Sequence, residues 1–176
     1  MIGIVHVLGG LLTSAFLFLS FLICNLLWSF VGWYAYPQAA VVLIIAAIGE
    51  HYVSGKGYYF YTSRNGYFVG RVPLWIPFMW VFMVQGTLLM TLVAGLTGFQ
   101  AVYFSGIICM LFDLVIAEPF LCSQKRFWEW TAIDKGYFFF IPERFNRFTA
   151  PPGNYIIWFL FPFILNSALY VTSLFV

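Results

Sequence analysis

The sequence predicts an all-α integral membrane protein, a helix bundle of about five transmembrane helices with its N-terminus on the cytoplasmic side. Three observations predict it. Apolar residues make up 63% of the chain and charged residues 8%, where a soluble domain carries about a quarter charged. The apolar residues fall in runs long enough to cross a bilayer, about 20 residues each, and helices are the form such runs take, because lipid obliges each segment to pair its own backbone polar groups. Third, the eight Lys and Arg residues occupy two stretches, Lys56, Arg64 and Arg71 in one and Lys125, Arg126, Lys135, Arg144 and Arg147 in the other. Five spans put both stretches on one side, and the positive-inside rule makes that side the cytoplasm, here of a prokaryotic cell membrane. A net charge of +2 is too small to indicate a nucleic-acid partner.

Span 1 runs from about Val7 to Tyr34. Its start, MIGIVHVLGG, has no basic leader and opens an apolar run too long for a signal peptide, so it reads as a retained span. Asn25 is its one strongly polar residue, and Trp28, Trp33 and Tyr34 form an interfacial belt. Pro37 marks a tight turn into span 2, about Gln38 to Val53, which ends in Gly49-Glu50-His51. The bend from Ser54 to Arg71 holds four glycines that permit turns. Span 3, about Val72 to Leu96, has Pro73 and Pro77 in its first turns and Gln85 near its middle. A two-residue turn at Thr97-Gly98 leads into span 4, about Phe99 to Cys122, with Asp113 and Glu118 inside it. A long polar connection, Ser123 to Gly153, precedes span 5, about Asn154 to Val176, which contains Asn166. The whole, residues 1–176, reads as a single polytopic domain.

Three carboxylates, Glu50, Asp113 and Glu118, fall in the inner half of this bundle. At 1.5 Å per residue, Asp113 lies roughly 13 Å and Glu118 roughly 6 Å from the inner end of span 4. On a regular α-helix the two are about 140° apart, so they share a face only where Pro119 distorts the winding. As anchors they would pair with basic loop residues such as Lys56 or Arg126, or accept hydrogen bonds from Tyr and Trp. As chemistry they would be proton donors, because removal from water favours a neutral carboxyl. Their clustering on one side of the membrane favours the second reading.

The 22 Phe, 11 Tyr and 7 Trp include two loop runs, Tyr58 to Tyr61 and Tyr137 to Phe140, beside those carboxylates. Rings there would make a re-entrant lid, or a slot for a long flat apolar ligand whose transient cation they stabilise. His6 and His51 match no metal-binding spacing, and no cofactor-binding or hydrolase motif occurs. Neither a metal nor a cofactor is expected. Cys24, Cys109 and Cys122 fit no redox spacing and read as small buried hydrophobes. Asn25, Gln85 and Asn166 stand isolated along their spans, a pattern of interhelical hydrogen bonds rather than of a polar pathway.

Glu50, Gly57-x-Tyr59-x-Tyr61-Thr62, Gly66 and Val72-Pro73-Leu74-x-Ile76-Pro77-x-x-Trp80, in that order, resemble the signature of the CruF-like carotenoid biosynthesis membrane proteins, which include the carotenoid 1',2'-hydratases. Asp113-Leu114-Val115-x-x-Glu118-Pro119, Trp128-x-Trp130, the Tyr137 to Pro142 run and Gly153-Asn154-Tyr155-x-x-Trp158 continue the resemblance. It implies addition of water across the terminal double bond of a linear carotenoid, which needs an acid, shelter for a tertiary cation and one positioned water. Carried onto this chain, Asp113, Glu118 and Glu50 would be the catalytic carboxylates, with Asp113 first as acid because it lies deepest. Tyr59, Tyr61, Trp80, Trp128 and Trp130 would line the slot and Asn154 would hold the water. The same protonation step would serve an isomerase or cyclase. The alternative from a different class is a non-catalytic membrane subunit that binds a carotenoid, quinone or lipid, or packs as a homo-oligomer or against other membrane subunits.

Overall fold

The computed structural model describes residues 2–132, 138, 140–142 and 148–173, with side chains from Val5 onward. Lys135, Tyr137, Phe139, Arg144 and Arg147 lie outside the described residues. Four continuous helical stretches are long and apolar enough to cross a membrane: Val5–Gly55, Trp75–Val93, Gly98–Gln124 and Pro152–Ser173. The first spans 51 residues but is two rods, α1 (Ile2–Val31) and α2 (Ala35–Gly55), joined by the 3-10 turn Gly32–Tyr34. Gly32 adopts φ +63°, the left-handed conformation that only glycine enters at little cost. The turn therefore falls before Pro37. Pro37 sits in the first turn of α2, where its missing N–H would have been unpaired in any helix.

The fold-back is visible in what each rod touches. The start of α1 meets the bend after α2, Gly9 lying so close to the Asn65 carbonyl and Gly66 that a Cβ would collide with them. Further along, Phe16 stacks on Trp75 at 5.6 Å and Ser20 donates to the Phe78 carbonyl at 2.7 Å. Thus α1 runs parallel to α3 (Trp75–Val93). Near the start of α2, the Ala35 carbonyl accepts from Gln85 at 2.7 Å, and near its end Glu50 accepts from Trp80 at 2.7 Å, so α2 runs antiparallel to α3. Twelve of the 19 residues of α3 are buried, which makes it the hub of the bundle. It begins later than the sequence predicts, because Val72–Pro73 pair with Phe68–Val69 as a short β-hairpin.

The turn into α4 (Gly98–Phe112) spans Ala94 to Thr97, longer than two residues. Beyond Phe112 the helix continues with π winding over Asp113–Gln124, with Pro119 inside it. After the strand Trp128–Trp130, α5 (Pro152–Ser173) returns antiparallel to α4, with Asn154 beside Asp113 at one end and Tyr170 against Gly98 at the other. Gln85 and Asn166 make the interhelical hydrogen bonds that the sequence predicts. Gln38 donates to Asn166 Oδ1 at 2.8 Å and accepts from Gln85 at 3.2 Å, and Asn166 donates to the Val84 carbonyl and to Ser105 Oγ, a buried network joining α2, α3, α4 and α5. Asn25 accepts from Tyr36 at 3.0 Å across the α1–α2 turn. All three cysteines are buried and unpaired, as small apolar side chains in the core.

Candidate functional site

The site forms where α2, α4 and the start of α5 meet the basic end of the bundle. Tyr59–Tyr61 (β1) pairs antiparallel with Trp128–Trp130 (here β4, the Phe68–Val69 and Val72–Pro73 strands being β2 and β3), in the register Tyr59 to Trp130, Phe60 to Glu129 and Tyr61 to Trp128. Side chains two apart on a strand share a face. Tyr59 and Tyr61 therefore point together, as do Trp128 and Trp130. Both phenols donate to Glu50 Oε2, that of Tyr61 at 2.7 Å. Both indoles donate to Glu118, Trp128 to Oε1 at 3.1 Å and Trp130 to Oε2 at 3.0 Å. Trp80 adds a third donor to Glu50, and Thr149 a third to Glu118 at 3.2 Å. Among the described residues, none of these carboxylates lies in an ion pair; the pair that occurs joins Arg126 to Glu129. Arg64 instead donates to the Lys125 carbonyl at 3.0 Å, tying the two basic connections together.

Tyr59 and Tyr61 keep their protons. Burial, and then the neighbouring Glu50 charge, push both phenols well above the ordinary tyrosine value, so they remain hydrogen-bond donors at any physiological pH.

The π winding changes the geometry of the other acid pair. An i→i+5 repeat stacks residue 118 roughly over residue 113, where α-helical winding would separate them. Asp113 and Glu118 consequently share a face and are both buried, 0% and 1% exposed. Asp113 Oδ2 accepts from Asn154 at 2.6 Å, while its Oδ1, also buried, has no hydrogen-bond partner among the described residues.

A cavity of about 510 Å³ opens between these groups. Eight of the nine residues expected from the sequence line it: Glu50, Tyr59, Tyr61, Trp80, Glu118, Trp128, Trp130 and Asn154. Asp113 does not line the cavity and accepts a hydrogen bond from Asn154, which does. Thr149 on Glu118 and the wall residues Met79 and Phe161 have no counterpart in the sequence reading, and Trp158, there only part of the Gly153-Asn154-Tyr155-x-x-Trp158 motif with no role of its own, packs against Trp80 with ring centroids 4.3 Å apart.

A signal for Trp158 does exist in the sequence. Glu50 is followed by Tyr59-x-Tyr61 and Glu118 by Trp128-x-Trp130; Pro73 precedes Trp80 by seven residues and Pro151 precedes Trp158 by seven. Both stretches follow the same order of helix, strand and helix, α2–β1–α3 and α4–β4–α5. The β1–β4 register is the one a two-fold axis through the Phe60–Glu129 pair generates. The two rods that carry Glu50 and Glu118 near their ends run one way, and α3 and α5 run the other. On this correspondence Glu50 matches Glu118, Trp80 matches Trp158, Ile76 matches Asn154 and Ile45 matches Asp113. The polar pair Asp113–Asn154 thus takes the place that two isoleucines hold in the other half.

The fold and site define a polytopic membrane protein whose two carboxylates, each held by aromatic donors, face an apolar cavity. The chain belongs to the carotenoid biosynthesis protein family, whose model matches residues 4–173. Its role accordingly lies in carotenoid biosynthesis, with a lipid or isoprenoid as the fitting partner. No curated protein and no solved structure matches the chain.

Proposed function

We propose that the cavity receives the end of a linear carotenoid and hydrates its terminal double bond. The observation that carries this reading is the pair of glutamates facing one apolar, ring-lined cavity that the Asn154 amide also lines. Glu118, the more buried glutamate, delivers a proton to the alkene carbon, leaving a tertiary carbocation at the other carbon of the former double bond. Glu50, held by Tyr59, Tyr61 and Trp80, and the π faces of Trp80 and Trp158 stabilise that cation. Water then adds through its oxygen and returns a proton to Glu118, so the acid is regenerated and the product is a tertiary alcohol.

Asn154 gives its amide N–H to Asp113, which leaves its amide oxygen to hold the incoming water. Asp113 is in this reading a positioning residue that fixes the amide, rather than the acid. Hydration is favoured over isomerisation or cyclisation by that polar pair, since the two rearrangements require no water site.

Purified protein in lipid vesicles, given a linear carotenoid, is expected to yield a product heavier by one water. Glu118→Gln is expected to lower turnover by about 10²–10⁴, the usual worth of a positioned acid, while the carotenoid still binds. Full turnover in Glu118→Gln would remove Glu118 from the acid role. Conversion of the carotenoid to an isomer of unchanged mass would replace hydration by rearrangement.

A further inference from the structure

The cavity reaches the surface of the bundle between α2 and α5, whose lining residues Ile45 and Ile157 are exposed. At the end of the bundle away from the site, α2 and α5 are tied by Gln38, which donates to the Leu165 carbonyl at 3.1 Å and to Asn166. Towards the site they part, and Ile45 and Gly49 of α2 and Gly153 and Ile157 of α5 line the cavity from either side of the gap. Ile45 is 44% exposed and Ile157 54% exposed, so each touches the cavity on one side and faces outward on the other.

The equivalent gap in the other half lies between α4 and α3. There the positions matching Ile45 and Ile157 are Asp113 and Met79, which are 0% and 3% exposed. One of two equivalent gaps is therefore packed shut while the other is open. The residues on either side of the open one, Ile45, Gly49, Gly153 and Ile157, carry no charge, and a Cβ built on Gly49 or Gly153 meets nothing within 4 Å. The gap lies along helices apolar enough to sit in lipid. At the basic end, by contrast, the buried rings of Tyr59 and Trp128 roof the cavity under the β1–β4 pair.

We propose that the gap between α2 and α5 is a lateral portal through which the ligand passes from the bilayer, leading end first, with the rest of its chain left lying in the cleft. This rests on the reading of the cavity as a site for a carotenoid end. A volume of about 510 Å³ suits a drug-sized fragment, so the site holds one end of a long polyene and the portal accommodates the remainder. Gly49 is the residue that keeps the passage wide.

The test uses the full chain in lipid vesicles, mixed with vesicles carrying lycopene, an achiral polyene with no circular dichroism of its own. A visible circular-dichroism band grows only as lycopene enters a chiral site. Wild type is expected to develop the band, Gly49→Phe and Ile157→Phe to develop it at least several-fold more slowly, and Ile48→Phe to match wild type. Ile48 is the neighbour of Gly49 on α2, is exposed and does not line the cavity, so it controls for added bulk on the helix surface. Wild-type rates in both Gly49→Phe and Ile157→Phe would overturn the portal and leave the cavity reading standing. A wild-type protein that never develops the band would overturn the cavity reading and the portal with it.

Discussion

Asn65 shows how a single side chain secures the bend. It is fully buried, donates to the carbonyls of Thr62 (2.9 Å) and Phe127 (2.5 Å), and accepts from the Trp75 indole at 3.2 Å. Asn65→Ala leaves the buried Trp75 indole N–H without its acceptor and takes a second donor from the Thr62 and Phe127 carbonyls, which keep their backbone partners, and is expected to cost about 1–3 kcal/mol, read as a lower unfolding midpoint in detergent. Tyr59 and Tyr61 give a pH prediction at the same scale. Their folded values lie above the ordinary one near 10, so at alkaline pH the unfolded chain gives up protons that the folded chain retains. Stability is therefore fully present below about pH 10 and declines as pH rises above it. Thermal unfolding across that range should show the decline, and Tyr59→Phe with Tyr61→Phe should flatten it. At this scale the sequence was legible because carboxylates and ring donors are rare and costly inside an apolar bundle, which is why eight of the nine expected residues line the cavity. Asp113 was ranked first on depth alone, and depth does not tell whether a carboxylate lines the cavity.

At the scale of elements, the five rods were readable from apolar run length, while two short features were not. The π winding of Asp113–Gln124 brings Asp113 and Glu118 onto one face, and Pro119 was the single hint of it. The β1–β4 pair joins segments nearly seventy residues apart, and three-residue strands carry too little alternation to be recognised before their partner is known. Yet that pair aims all four ring donors. Phe60 and Glu129 face each other across it, and neighbouring Cα atoms in antiparallel strands are within disulfide reach. The double variant Phe60→Cys with Glu129→Cys is expected to form an internal disulfide under mild oxidation, seen as a mobility shift reversed by reductant. Absence of that bond would deny the register on which the site's geometry depends.

For the whole molecule, α1 stands apart from the two-fold unit and supports α3, the central rod, while the four remaining helices surround the cavity in two matched pairs. The charge partition that suggested five spans agrees with this architecture: both basic connections meet at one end through Arg64 and Lys125. The repeat itself was hidden because Tyr in one copy stands where Trp stands in the other, and Ile where Asp and Asn stand. What is duplicated is the pattern of donor, ring and carboxylate. Asymmetry then concentrates at two places, the Asp113–Asn154 pair and the open gap between α2 and α5. Loss of the polar pair is therefore expected to be a kinetic defect. Asp113→Asn should lower kcat with little change in carotenoid binding, and should leave the cavity's ring-lined walls intact.

The most direct measurement is mass spectrometry, with a visible absorption spectrum, of the apolar extract from gently solubilised protein expressed alongside a linear carotenoid. A carotenoid is expected at close to one per chain, with the hydrated product prominent in wild type and the unhydrated precursor accumulating in Glu118→Gln. An extract holding only bulk phospholipid in both proteins would contradict the claim that this cavity is a carotenoid site.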